Sequence, residues 1–284
     1  MWQNFHTHTY YCDGKGTPAE FIQPAIDQRV FNLGFSSHAP LPFPCKWCMK
    51  PNDLDNYISS INELKETTEA INIFAGLEID YIPDTITPAD FQSKLDYTIG
   101  SIHFVERFDD GTPWEIDGTL QFFLEGFEQI FKKNIKDTIS RYYELTREMV
   151  VRGTPDIVGH LDKIKIQNTD NRLFQEEDPW YKEQLYKTID TIAEAGCIVE
   201  VNTRGIYQKK SVSTYPGPLA LRYILERKVP ILISSDAHHK DDLTNHFEET
   251  ASLLYSLGFR EHAILQDGDW IMIPFNSYGL ELRK

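Results

Sequence analysis

The chain has 284 residues, of which 41% are hydrophobic and 25% charged, and its formal net charge is −15. This length suits one α/β barrel, and the acidic charge argues against nucleic-acid binding, which needs a basic surface. No apolar run reaches the roughly 18 residues of a membrane span, and the N-terminus MWQNFHTHT does not resemble a signal peptide, so we expect a cytoplasmic protein with no membrane partner.

Short apolar runs alternate with longer amphipathic segments along the chain. The apolar runs predict strands at residues 2–5, 33–36, 72–77, 97–101, 156–158, 197–201 and 229–234. The amphipathic segments predict helices at residues 18–30, 54–70, 120–151, 180–195, 216–227 and 247–257. The segment 120–151 is too long for an ordinary barrel helix, so we expect two helices with a break near residues 132–134.

Strands that alternate with helices at this spacing indicate an α/β protein with a parallel sheet. Seven such units favour closure into a TIM-like barrel, although periodicity alone leaves an open sheet as the alternative. We expect a single domain over residues 1–275, followed by a polar C-terminal tail at 276–284.

Histidines and acidic residues follow the predicted strands. The motifs, in chain order, are His6-Thr7-His8 with Asp13, Ser37-His38, Gly76-Leu77-Glu78, Gly100-Ser101-Ile102-His103, Gly159-His160-Leu161-Asp162, Glu200-Val201-Asn202-Thr203-Arg204 and Ser235-Asp236-Ala237-His238. One motif alone is weak, because a lone His-x-His or a strand-end glutamate is often structural. Catalytic groups of α/β barrels gather at the carboxyl ends of the strands, so we expect all seven motifs to meet at one mouth.

This collection of side chains is typical of a site for more than one metal ion. His6 and His8 are two residues apart, so on a strand they point to the same face and can reach one ion. Imidazole and carboxylate ligands suit zinc, iron or manganese. Paired metals recur in enzymes that break phosphate esters, and bound metals supply the positive charge that an acidic protein needs to hold a phosphate. We therefore expect a small phosphate ester as substrate.

The remaining histidines and the cysteines look unremarkable. We interpret His239, His246 and His262 as surface residues, because they lie outside the strand-end motifs in polar context. The four cysteines are Cys12, Cys45, Cys48 and Cys197. Cys45 and Cys48 have CxxC spacing without a second ligand pair nearby, so we expect neither a structural zinc site nor a disulfide framework.

The ordered motifs resemble those of the polymerase and histidinol phosphatase (PHP) family, over nearly the whole chain. The segments that begin at Gly100, Gly159 and Glu200 are similar to those of the stand-alone histidinol-phosphatase branch. The resemblance implies a distorted barrel of seven βα units and up to three metals, commonly zinc, iron or manganese. It also implies hydrolysis of L-histidinol phosphate in histidine biosynthesis. The residues themselves indicate only a phosphomonoester or a similar ester.

The resemblance further implies a ligand set for each metal. His6, His8, Glu78 and Asp236 would hold the first metal, Glu78 would bridge to a second metal held by His103 and His160, and Asp13, His38 and His238 would hold the third. Many family members carry histidine in place of Asp13, whereas the phosphatase branch often carries aspartate there, which supports this assignment.

Other residues of the motifs are candidates for direct roles in catalysis. Arg204 is our first candidate for binding the substrate phosphate, followed by Lys163. Either Asp236 or His238 would protonate the leaving alkoxide, and the sequence does not decide between them.

Three alternatives stay open at this point. A metal-dependent amidohydrolase also begins with His-x-His, but it usually carries a bridging lysine where this chain has Glu78. A phosphoesterase for nucleotides or sugar phosphates fits the same motifs, and so does a non-catalytic metal-binding module. The sequence leaves the oligomeric state undetermined.

Overall fold

A computed structural model describes residues 1–282 of the chain. Its strands are β1 (Trp2–Asn4), β2 (Val30–Phe35), β3 (Asn72–Asp80), β4 (Tyr97–Ser101), β5 (Phe104–Arg107), β6 (Pro113–Glu115), β7 (Ile157–Val158), β8 (Ile198–Asn202), β9 (Ile231–Ser234), β10 (Glu261–Gln266), β11 (Asp269–Asn276) and β12 (Gly279–Leu280). Its α-helices are α1 (Ile22–Asp27), α2 (Leu54–Thr67), α3 (Leu120–Gln129), α4 (Ile135–Gly153), α5 (Pro179–Ala195), α6 (Arg204–Tyr207), α7 (Pro218–Glu226) and α8 (Phe247–Leu257).

Seven parallel strands form the central sheet in the order β1-β2-β3-β4-β7-β8-β9. The sheet curls until its two edge strands, β1 and β9, meet. Just beyond these strands, Thr7 and Ala237 form a parallel bridge, in which the His8 amide donates to the Ala237 carbonyl at 2.8 Å. The predicted α/β class and TIM-like barrel are therefore confirmed, and the barrel is nearly closed at the carboxyl ends of its strands.

The inner faces of the strands change from apolar to polar along the barrel axis. Alternate residues of a strand share a face, so Ile198 and Glu200 of β8 both face inward, as do Ile99 and Ser101 of β4. The apolar members pack as one buried cluster of Phe5, Tyr97, Ile99, Ile157, Ile198, Leu232, Ala263 and Leu265. The polar members lie at the carboxyl ends, so the barrel has a solid floor and a polar mouth.

Most predicted elements are found with small shifts at their ends. The predicted break in segment 120–151 is confirmed: α3 ends at Gln129, and the Asn134 side chain caps α4 by accepting from the Lys136 and Asp137 amides. The predicted helix 18–30 is wrong at its end, because α1 stops at Asp27 and the β-branched Val30 begins β2.

Two antiparallel units were not predicted. Strands β5 and β6 form a hairpin after the fourth barrel strand, and β10–β12 form a separate sheet that packs on β9 and α8. The predicted polar tail contains β12, and the Leu280 amide donates to the Met1 carbonyl at 3.0 Å, so this part of the tail is folded. Arg283 and Lys284, the end of that tail, lie outside the described residues.

Two expectations about single residue types are wrong. Cys45 and Cys48 form a disulfide, because the proline-rich loop after β2 brings their Cα atoms to 5.4 Å, within the usual range for such a bond. His262 is 2% exposed, because both faces of β10 are buried along residues 262–265. His239 and His246 are partly exposed, as expected. No helix in residues 1–282 is both long and apolar enough to cross a membrane.

Candidate metal centre

Glu78 lies at the centre of a buried group of histidines. The carboxyl end of β3 places its carboxylate in the barrel mouth, where it is 1% exposed. Five imidazole nitrogens lie within 4 Å of it: Oε2 is 3.2 Å from His6 Nε2, 3.5 Å from His8 Nε2 and 3.0 Å from His38 Nδ1, and Oε1 is 2.8 Å from His160 Nε2 and 3.8 Å from His103 Nε2. Motifs from five strand ends therefore meet at this one side chain.

Asp236 approaches the same histidines from the other side. Its Oδ1 lies 3.2 Å from His8 Nε2 and 3.4 Å from His238 Nδ1. The Asp236 backbone has φ +51°, a left-handed conformation that a residue with a Cβ rarely adopts. Such strain is found where the surrounding structure holds a side chain in a required position.

Asp13 completes the group at the outer edge of the mouth. Its Oδ1 lies 3.2 Å from His238 Nε2, 3.8 Å from His8 Nδ1 and 3.9 Å from His38 Nε2. The rings of His8 and His238 are in contact, with their centroids 4.0 Å apart and their planes tilted by 30°. All nine side chains predicted as metal ligands therefore lie in one continuous cluster.

Several histidine nitrogens of the cluster lack hydrogen-bond partners within residues 1–282, as expected for atoms that bind divalent metal ions. Nε2 of His6, Nε2 of His8 and Nδ1 of His38 are buried and have no hydrogen-bond partner among residues 1–282. An unpaired buried polar atom costs about 1–3 kcal/mol, and a coordinated ion would remove that cost. Four overlapping groups have ligand atoms within 4.8 Å of one another: His8-Asp13-His38-His238, His6-His8-Asp236, His38-Asp80-His103 and Glu78-His103-His160. The mouth of the barrel is thus a multi-residue metal-binding site.

Two further carboxylates orient the histidines from behind. Glu200 Oε1 accepts from His6 Nδ1 at 2.5 Å, and its Oε2 accepts from the His160 amide at 2.6 Å. Asp80 Oδ1 lies 3.0 Å from His103 Nδ1. Carboxylates in this position fix the ring orientation and the tautomer of a metal-binding histidine, leaving the opposite nitrogen free for the metal.

The concentration of carboxylates dominates the electrostatics of the site. Burial disfavours the charged form of His6, but Glu200, Asp236 and Glu78 outweigh it and raise its pKa well above the usual value. Burial likewise opposes ionisation of Glu78, yet the neighbouring histidines hold its pKa well below normal. The site therefore carries ionised carboxylates that require positive charge close by.

Two cationic side chains lie on either side of the metal-binding cluster. Arg204 Nη1 donates to His238 Nδ1 at 2.6 Å and to the Asp236 carbonyl at 2.7 Å. Lys163 Nζ lies 3.0 Å from His103 Nε2 and 2.9 Å from an Asp117 carboxylate oxygen. Both residues line a cavity of about 260 Å³ that opens onto the cluster.

The sequence missed Asp80, and it named Glu200 in a strand-end motif without giving it a role. Both residues lie two positions from an inward-facing residue of their own strands, and this spacing indicates that their side chains face the mouth. Trp47, Glu115 and Asp117 also line the cavity, but they come from a loop and a hairpin for which the sequence offers no periodic signal.

Comparisons with known proteins agree with this geometry. The PHP domain family matches residues 4–204, and the chain belongs to this family. Over 265 residues it is 30% identical to a Deinococcus radiodurans protein named "Probable histidinol-phosphatase", with 90% of this chain and 93% of that protein covered. It is 26% identical over 269 residues to a histidinol-phosphatase of Bacillus subtilis strain 168, with 86% and 96% covered.

A solved structure extends the likeness to the fold. The histidinol phosphate phosphatase of Lactococcus lactis aligns with a TM-score of 0.65 and 20% identity, and 99% of each chain is covered. That protein was crystallised with zinc, L-histidinol and phosphate. At this identity the likeness establishes the fold alone.

Proposed function

We propose that this protein is a metal-dependent histidinol-phosphatase, which hydrolyses L-histidinol phosphate to L-histidinol and inorganic phosphate. The observation that carries the proposal is the cluster of six histidines and three carboxylates around Glu78, with buried histidine nitrogens that have no partner. The names of the relatives that align over most of the chain support this substrate.

The proposal includes a set of ligands for two or three divalent ions of zinc, iron or manganese. His6, His8, Glu78 and Asp236 would hold the first ion, Glu78, His103 and His160 the second, and Asp13, His38 and His238 the third. When bound, such ions would supply a Lewis acid that activates water and positive charge that offsets the charge of the phosphoryl oxygens. The distances around Glu78 and Asp13 are the support for this division.

Arg204 and Lys163 bind the phosphate of the substrate from opposite sides. Each has its charged group beside a proposed metal ligand, Arg204 at His238 and Lys163 at His103. A guanidinium forms paired hydrogen bonds with a phosphate, whereas an ammonium acts as a point charge. Arg204 therefore orients the phosphoryl group, and Lys163 adds to the charge that stabilises the transition state.

Asp236 moves the proton in the reaction. Burial opposes its ionisation, but His6 and Arg204 hold its pKa well below normal, so the carboxylate is ionised before the substrate binds. It takes a proton from the attacking water and returns it to the alkoxide of L-histidinol as the ester bond breaks. His238 is the weaker candidate, because Arg204 Nη1 donates to its Nδ1 and its Nε2, beside Asp13, is the nitrogen that would hold the third ion.

We extend the proposal to the partners and the location of the protein. The substrate is a small molecule that fits the cavity of about 260 Å³, and a chain of net charge −15 does not bind nucleic acid. The protein acts in the cytoplasm. Cytoplasmic cysteines are normally reduced, so we expect Cys45 and Cys48 to be free thiols in protein from freshly lysed cells. A Cys45–Cys48 disulfide in that sample would count against this location.

Elemental analysis combined with phosphate release tests the function. We expect two or three divalent ions per purified chain and a kcat/KM for L-histidinol phosphate well above that for nucleoside monophosphates and sugar phosphates. Loss of activity in a chelator, and its return with zinc or manganese, would support the role of metal. A clear preference for a nucleotide or a sugar phosphate would overturn the proposed substrate and leave the metal site standing.

A further inference from the structure

The cavity beside the metal-binding cluster has an aromatic wall backed by an acidic residue. Trp47 comes from the loop that follows the second barrel strand, and its Nε1 donates to Glu115 Oε2 at 3.2 Å. Its ring stacks on Phe104, with the centroids 5.5 Å apart and the planes at 6°. The ring centroid of His38 lies 4.4 Å from that of Trp47. This wall therefore stands directly beside the proposed metal ligands.

Glu115 is the less compensated of two carboxylates that the hairpin β5–β6 and its following turn bring to the cavity. Asp117 is paired with Lys163 at 2.9 Å. Within residues 1–282, no lysine, arginine or histidine lies within 4 Å of the Glu115 carboxylate, which has only the indole N–H as a donor from a side chain. Burial is the main cause that raises the pKa of Glu115 above its usual value. A partly buried carboxylate in this state gains from an added cation.

Gly118 packs closely against the second oxygen of this carboxylate. A Cβ on Gly118 would lie 2.7 Å from Glu115 Oε1, so a larger residue would press on the carboxylate. Gly118 and Glu115 both line the cavity of about 260 Å³, together with Arg204 and Lys163. The same cavity therefore contains two cations that can bind a phosphate, Arg204 and Lys163, and one carboxylate without a paired cation among residues 1–282, Glu115.

We propose that Glu115 determines specificity by binding the α-ammonium group of L-histidinol phosphate, while Trp47 packs against the imidazole ring. This inference rests on the proposed function. The phosphate end is taken by the metal ligands with Arg204 and Lys163, so the ammonium and imidazole groups must face the rest of the cavity. A charged hydrogen bond to Glu115 and a flat aromatic wall match these two groups.

A variant of Glu115 that lacks the negative charge distinguishes binding of the ammonium group from the structural role of Glu115, which is to hold Trp47 and its loop in place. Glu115→Gln keeps an oxygen that accepts from Trp47 Nε1 but loses the negative charge. Removing one charged hydrogen bond should lower kcat/KM for L-histidinol phosphate roughly 10- to 100-fold, mostly through KM. For phenyl phosphate, which has no ammonium group, we expect a change of less than about 3-fold, since the phosphate contacts are untouched. Metal content should equal that of the wild type.

The matched control is Glu125→Gln, which removes the same charge from the exposed face of α3, where Glu125 accepts a hydrogen bond from Gln121. We expect this variant to behave as the wild type on both substrates. Equal losses on both substrates in Glu115→Gln, or an unchanged preference for L-histidinol phosphate, would overturn the role of Glu115. Failure of the wild type to hydrolyse L-histidinol phosphate, with turnover of other esters, would instead overturn the proposed function.

A second measurement needs no variant and so does not depend on folding. L-histidinol should inhibit the wild-type holoenzyme at a concentration roughly 10-fold or more below that of 3-(imidazol-4-yl)propan-1-ol, which differs by the missing amino group. Equal inhibition by the two alcohols would show that no group in the cavity binds the ammonium group, and would overturn the inference.

Discussion

The seam between β1 and β9 is closed differently at its two ends, and both ends involve buried histidines. At the carboxyl end, the backbones of residues 6–8 and Ala237 pair directly, and His6 and His8 point into the metal-binding cluster. At the opposite end, His262 of β10 fills the seam: its Nε2 accepts from the Ile233 amide at 2.8 Å, and its Nδ1 donates to the Ala263 carbonyl at 2.9 Å.

The two ends differ in hydrogen bonding and not in burial. His6, His8 and His262 are all at most 2% exposed. Both ring nitrogens of His262 have backbone partners, whereas Nε2 of His6 and Nε2 of His8 have none. His262, with a hydrogen bond at each ring nitrogen, therefore has a structural role and joins β9 to β10. His6 and His8, each with an unpaired ring nitrogen close to a carboxylate, have the arrangement of metal ligands.

The strongest test of this contrast is Glu78→Ala at the carboxyl end. Removing the carboxylate that contacts five histidines should abolish high-affinity metal binding and lower kcat/KM by more than about 100-fold, the upper limit for losing a mere supporting group. The barrel should stay folded by circular dichroism, because the floor of the barrel is untouched. A variant with full metal content and wild-type turnover would show that Glu78 does not hold the metals.

Glu200→Gln should have a smaller effect at the same end. The amide keeps the size of the side chain but cannot provide the charge that the ring of His6 and the His160 amide now share. We expect metal affinity to fall roughly 10- to 100-fold, as for other residues that orient metal ligands. Excess metal should restore most of the turnover, and failure of that rescue would point to a structural defect.

The sequence predicted the residues at the mouth far better than those at the floor. A polar residue at the end of an apolar strand stands out, so the sequence placed Glu78 and Asp236 at the mouth. Asp80 was missed and Glu200 was given no role, because the sequence of a strand does not show which carboxylate contacts a histidine of the mouth. The hairpin β5–β6 was missed because its short antiparallel strands lack a clear period.

His262 was misread for a related reason. The polar residues Glu261 and Gln266 at its two ends made the segment look exposed, yet both faces of β10 are buried: Ala263 and Leu265 face the interior of the barrel, and His262 and Ile264 lie on the other face. The sequence could not predict that β10 packs between β1 and β9, because this position depends on contacts with residues more than 200 positions earlier, such as Gln3.

His262→Ala tests the floor directly. The substitution leaves the Ile233 amide without its acceptor and opens a cavity, and together these should lower the free energy of unfolding by about 3 kcal/mol. Metal content and kcat should stay at wild-type values, because the mouth is untouched. Loss of metal in this variant, measured on folded protein, would mean that the two ends of the seam are not independent.

The pH dependence of stability gives the smallest effect. Burial lowers the pKa of His262 to about 4, from 6.5 for an exposed histidine. Between these values the unfolded chain takes up a proton that the folded chain refuses, so stability is complete above pH 6.5 and decreases as the pH falls toward 4. At pH 5, the titration of His262 should lower the free energy of unfolding by about 2 kcal/mol relative to neutral pH. His262→Gln can still accept from the Ile233 amide but does not titrate, so its unfolding free energy, measured in denaturant, should fall less between pH 7 and 5 than that of the wild type. Parallel pH curves for the two proteins would show that His262 does not remain neutral in the folded barrel.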